Sequence, residues 1–109
     1  MNNPTYEHIR VDVGADGVAL MTFERPEVRN AMHLPMNLEI RAALQHLVER
    51  GDVRVLILTG AGDHAFVSGA DIAELRDRTG VVALAAHNAK LCDAIEAFPF
   101  PTIAAIQGY

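Results

Sequence analysis

The stretch Gly60-Ala61-Gly62-Asp63-His64-Ala65-Phe66-Val67-Ser68-Gly69-Ala70-Asp71-Ile72 holds the residues best suited to chemistry. It follows an apolar run and leads into Asp71 to Leu75, a segment that suits one or two turns of helix. Gly69 has no Cβ, so its backbone can lie close against a ligand. Ala70 is small, so its N–H can be approached as well. Asp71 can cap the following helix through its side chain. The N–H groups of Ala70 and its neighbours would then project from a helix N-terminus, with the positive end of the dipole behind them. Such a place stabilises negative charge on oxygen. The plain alternative is a glycine-rich turn joining strand to helix, and a bare Gly-Ala-Asp triplet favours that alternative unless its wider context argues against it.

Other chemistries fit less well. Gly60, Gly62 and Ala65 match the G-x-G-x-x-[GA] spacing of a dinucleotide-binding turn. However, Phe66 to Gly69 makes a poor helix start against a sheet, and no second strand ends in an acidic residue about twenty positions on. Ser68 is the only serine, and Phe66 stands two before it where a nucleophile elbow needs glycine. His8, His33, His46, His64 and His87 form no H-E-x-x-H or paired Cys-His spacing, so no metal site is expected. Cys92 falls near the apolar seam of a helix and reads as a small packed residue.

The elements that must position this loop are legible from periodicity. Tyr6 to Val13 alternates, with Ile9, Val11 and Val13 on one side, as a half-buried strand does. Gly14-Ala15-Asp16-Gly17 is a turn, and Val18 to Phe23 returns as the second strand of a hairpin. Glu24 to His33 is a loop. Pro35 suits the first turn of a helix whose buried face is Met36, Ile40, Ala43, Leu44 and Leu47, and which Gly51 ends. Val53 to Thr59 is apolar enough for a central strand covered on both faces. A second helix from about Gly80 to Phe98 carries the seam Val81, Leu84, Asn88, Leu91, Ile95 and Phe98. Pro99 and Pro101 stop it, and Thr102 to Gln107 is a further strand. The order β-β-α-β-loop-α-β implies an α/β fold, with a parallel crossover joining its last two strands. Residues 1–109 contain no repeats, low-complexity stretch or linker, so they read as belonging to one domain.

Bulk properties exclude several function classes. The chain has 109 residues, half of them hydrophobic, with nine Lys and Arg against fourteen Asp and Glu. An acidic balance argues against a protein that holds nucleic acid by neutralising phosphates. No apolar run approaches the length needed to span a bilayer. The N-terminus lacks the basic and apolar regions of a secretory signal. A single cysteine fits a reducing, cytoplasmic setting. Gly108-Tyr109 reads as the start of a loop at the carboxyl end of a strand, where α/β proteins place their sites, so the sequence is expected to be the leading part of a longer chain.

Three motifs carry a family resemblance. Ala65-Phe66-Val67-Ser68-Gly69-Ala70-Asp71-Ile72 resembles the A-F-x-x-G-A-D-[IL] motif of the crotonase (enoyl-CoA hydratase/isomerase) family. Arg25-Pro26-Glu27-Val28-Arg29-Asn30-Ala31-Met32 resembles its R-P-x-x-x-N-A-[LM] signature, and Pro99 to Tyr109 resembles the strand that leads into its central glycine loop. The motifs occur in order, the hairpin before them fits, and the resemblance covers nearly the whole chain. The resemblance implies a crotonase-like spiral of β-β-α units, here apparently truncated, assembled at full length as a homo-trimer or hexamer. It implies an acyl-CoA thioester as substrate, coenzyme A being part of that substrate, with no separate cofactor or metal. It implies that two backbone N–H groups hold the thioester oxygen as enolate character develops, the first from Ala70 and the second from beyond Tyr109. It further implies that Ser68, Gly69, Ala70, Asp71 and Ile72 contact coenzyme A, and that Arg29, Asn30 and Ala31 lie along its pantetheine and phosphates. Arg29 is open to two readings, a cation for a phosphate or a solvated surface arginine. Glu24 stands where Asn is commoner, and His64 where Lys or Arg is usual, which puts a charge contact from that position in doubt. The acid and base groups that separate hydratase from isomerase fall outside the sequence. Hydratase is the expected activity, and half an oxyanion hole is expected to be inactive alone. A coenzyme A-binding module that needs a partner is the competing reading.

Overall fold

The structure is a computed structural model that describes residues 4–71 and 78–108. Its elements are β1 (Ile9–Val13), β2 (Val18–Phe23), a 3-10 turn (Pro26–Val28), α1 (Leu34–Arg50), β3 (Val55–Gly60), α2 (Arg78–Ala97) and β4 (Thr102–Ala105). One four-stranded sheet runs in the order β1-β2-β3-β4. The β1–β2 hairpin is antiparallel, from Ile9 opposite Phe23 to Val13 opposite Ala19. β3 pairs in parallel with both β2 and β4.

β1 begins at Ile9 rather than at Tyr6. The Glu7 and His8 N–H groups donate to the Glu39 carboxylate on α1, at 2.9 and 2.8 Å, instead of to a neighbouring strand. The turn closes with the Gly17 N–H donating to the Gly14 carbonyl and the Val18 N–H to the Asp16 carboxylate. Pro35 sits in the first turn of α1, where a missing N–H costs nothing. The Met36 N–H in that turn donates to the His33 ring at 3.3 Å. Met36, Ile40, Ala43, Leu44 and Leu47 are all buried, as the spacing requires, and Gly51 ends the helix. With Met21, Leu56, Leu91 and Phe98 they form one core that joins both helices to the inner side of the sheet.

Three further expectations need correction. β3 is interior but not covered on both faces: Leu56 and Leu58 are buried, whereas Val55, Ile57 and Thr59 are half-buried. Both helices contribute to the one core, and nothing among the described residues closes over the opposite face. Val81 lies on the α2 seam yet is 45% exposed, because it borders an open pocket instead of packed core. Cys92 is exposed, not packed, one residue past the buried Leu91. β4 is exposed along its length and forms one edge of the sheet. Among the described residues, no helix is long and apolar enough to cross a membrane.

Candidate functional site

The loop after β2 is held by its own polar groups. The 3-10 turn ends at Arg29 in the left-handed conformation (φ 54°), and Asn30 follows in the same region (φ 57°). Asparagine tolerates that conformation better than most side chains. Asn30 is also fully buried. Its Oδ1 accepts from the Arg25 N–H at 2.9 Å, and its Nδ2 donates to the Ala61 and Ala65 carbonyls at 3.0 and 2.9 Å. A buried amide so satisfied braces its own loop and ties it to the loop after β3 at two points. In this arrangement Asn30 supports the loop from within, while Arg29 is exposed and Ala31 half-buried on the surface it shapes.

The loop after β3 docks against it. Gly60 must be glycine: a Cβ there would collide with the carbonyl oxygens of Ala65 and Phe66 and lie 2.8 Å from Asn30 Nδ2. Ala65 is buried, and Phe66 stacks edge-on against Phe23 with ring centres 5.3 Å apart. These contacts explain why a small residue and then an aromatic one precede the glycine-alanine pair. The Gln107 side chain, two residues past β4, clamps the loop, with Nε2 donating to the Gly60 and Gly62 carbonyls and Oε1 accepting from Thr59 at 3.3 Å.

The two loops then run side by side. The Ser68 N–H donates to the Arg29 carbonyl at 3.2 Å. The Met32 N–H donates to the Gly69 carbonyl, and the Asp71 N–H to the Met32 carbonyl, both at 2.8 Å. Ala70 lies opposite Met32 in this short parallel bridge. A parallel bridge uses the N–H of the residue after Ala70 and the carbonyl of the one before it. The Ala70 N–H is therefore held at a fixed place and has no partner among the described residues. Ala70 itself is exposed. Gly69 (φ 134°) takes a conformation that side chains rarely adopt, and a Cβ on it would meet only open space.

Arg25 fastens the two loops from below. Its Nη1 donates to the Ala31 carbonyl at 2.6 Å and to Asp71 Oδ2 at 3.1 Å, and both charged side chains are largely buried. The expected helix beyond Asp71, the cap on it, and Ile72 lie outside the described residues. Arg29, Asn30, Ala31, Ser68, Gly69, Ala70 and Asp71 are thus brought into one ridge by six hydrogen bonds between the two loops. The sequence reading missed the roles of the Arg25 and Gln107 side chains. Arg25 was visible as the first residue of a motif, whereas nothing in a single sequence marks Gln107.

Residues 14–109 match the family described as enoyl-CoA hydratase/isomerase. The chain belongs to that family. It is 36% identical over 106 residues to a probable enoyl-CoA hydratase of Rhodobacter capsulatus, a match spanning 95% of this chain and 40% of that relative. A crotonyl-CoA hydratase of Syntrophomonas wolfei is 35% identical over the same shares of both chains. Among solved structures, an enoyl-CoA hydratase from Bacillus anthracis superposes with a TM-score of 0.89 at 32% identity, over 94% of this chain and 40% of that one. The chain therefore has part of the crotonase fold, as its three motifs imply, and spans about 40% of the length of these hydratase-family relatives.

Proposed function

We propose that this chain supplies the first of two oxyanion donors, the Ala70 N–H, in an enoyl-CoA hydratase-type reaction on an acyl-CoA thioester. The observation that carries the reading is an exposed N–H whose neighbours are both pinned, by Met32 N to Gly69 O and by Asp71 N to Met32 O, while it has no partner itself among the described residues. A donor fixed before the substrate arrives needs no reorganisation as charge builds on the thioester oxygen. One such donor is worth on the order of 10²–10³ in rate when its partner donor is present. Arg29 sits exposed on the same ridge, so a coenzyme A phosphate beside it would gain a charge-assisted bond.

A second reading is favoured by the 40% span of the relatives' length: the chain binds the thioester but hydrates it only when a partner completes the site. Hydration of crotonyl-CoA by the purified chain would reject this second reading. Binding of crotonyl-CoA compared with its thioether analogue, which lacks the carbonyl oxygen, tests the donor. The thioester is expected to bind about two- to tenfold more tightly, the worth of one neutral hydrogen bond. A folded Ala70→Pro variant, which has no N–H at that position, is expected to lose the preference. Equal affinity in the unmodified chain, or a preference that survives in Ala70→Pro, would sink the assignment.

A further inference from the structure

Asn88 is a polar residue in an otherwise apolar wall. An open pocket of about 190 Å³ lies beside Ala70, and its described lining is Ala70, Val81, Leu84, Ala85 and Asn88. That volume equals roughly six waters, enough for a short acyl tail. The orientation of the Asn88 amide is fixed by a chain of bonds reaching it from α1. Arg41 has only donors, and its Nη1 bonds to Asn37 Oδ1 at 3.3 Å. The opposite end of that fully buried amide, Asn37 Nδ2, then donates to Asn88 Oδ1 at 2.9 Å. Arg41 Nη1 also donates to His87 Nδ1 at 3.2 Å, which steadies the start of the chain. With Oδ1 engaged, the remaining polar atom of Asn88 is its amide nitrogen, which can only donate, and no group among the described residues accepts from it.

We propose that Asn88 selects acyl groups carrying a hydrogen-bond acceptor, such as a ketone, ester or hydroxyl oxygen, on the tail beyond the thioester. The inference rests on the reading that Ala70 holds the thioester of an acyl-CoA. Val81, Leu84 and Ala85 pack the methylene groups, and the acceptor meets Asn88 Nδ2. A wholly apolar tail displaces water from that donor and returns nothing to it.

The test is equilibrium binding of the purified chain to levulinoyl-CoA and isocaproyl-CoA, whose tails differ by a ketone oxygen in place of a methyl group, with coenzyme A as reference. Levulinoyl-CoA is expected to bind about two- to tenfold more tightly. Asn88→Asp keeps an acceptor for Asn37 but replaces the donor with an acceptor, so it is expected to abolish or reverse the preference. Asn88→Leu is expected to abolish it. Equal binding of the two thioesters by the unmodified chain, or a preference that survives in both variants, overturns the role of Asn88. If neither thioester binds more tightly than coenzyme A, the acyl-CoA reading of Ala70 fails, and the inference fails with it.

Discussion

Asn30 shows how much a single side chain holds in place. It makes three side-chain hydrogen bonds while fully buried in a left-handed conformation. Asn30→Ala strands the Arg25 N–H and two carbonyl groups and leaves alanine at a strained φ. The expected loss is about 2–4 kcal/mol, read from the urea midpoint, and a loss below about 0.5 kcal/mol would contradict the role. Gly60→Ala drives a methyl into backbone oxygens that cannot move freely. It is expected to cost about 1–3 kcal/mol by the same measurement. Cys92 is a check of the opposite kind. Because it is exposed, it is expected to react with an aromatic disulfide reagent in the folded protein nearly as fast as in urea. Strong protection in the folded state would contradict its placement.

At the scale of elements, the N-terminal segment depends on α1. Glu39 accepts the Glu7 and His8 N–H groups, and Tyr6 packs nearby with its phenol raised above its ordinary value of 10.0, first by burial and then by the Glu39 charge. A raised folded-state value means that folding favours the neutral phenol. Its contribution is intact below about pH 10 and is lost as pH rises through the raised value. The melting temperature is therefore expected to fall on the alkaline side, and Tyr6→Phe to make that fall shallower. Identical alkaline profiles would contradict the linkage. The same segment shows what periodicity can and cannot tell. β2, the buried face of α1 and its stop at Gly51 were legible, because spacing fixes which residues share a face and Pro35 and Gly51 punctuate the chain. The start of β1 was not, because alternation at Tyr6 to His8 carries no record of Glu39 capturing those N–H groups. Val81 and Cys92 failed for a related reason: a 3.6-residue period names a seam but not what fills the space in front of it. Of the site, the two motif loops were legible, whereas the ties through Arg25, Asn30 and Gln107 needed the third dimension.

At the scale of the molecule, the described residues leave one side of the sheet open. Leu20, Ile57 and Ile103 stand side by side on β2, β3 and β4, and Ile103 is 53% exposed. An apolar row ending at an exposed edge strand is a surface for association. Sedimentation velocity of the purified chain is expected to show concentration-dependent association that Ile103→Lys weakens. A monomer at every concentration would contradict this. The ridge that carries Ala70 is separate from that surface, since it is built by the loops at the ends of β2 and β3, so the proposed donor is expected to survive the substitution.

The central claim is that the Ala70 N–H polarises a thioester oxygen. The most direct measurement is the stretching frequency of an isotope-labelled thioester carbonyl in crotonyl-CoA, read by difference infrared spectroscopy at saturating protein. The expected result is a shift to lower frequency on binding to the unmodified chain, absent with Ala70→Pro. A saturated complex whose carbonyl absorbs where it does in water, or a shift that persists in Ala70→Pro, would contradict the account.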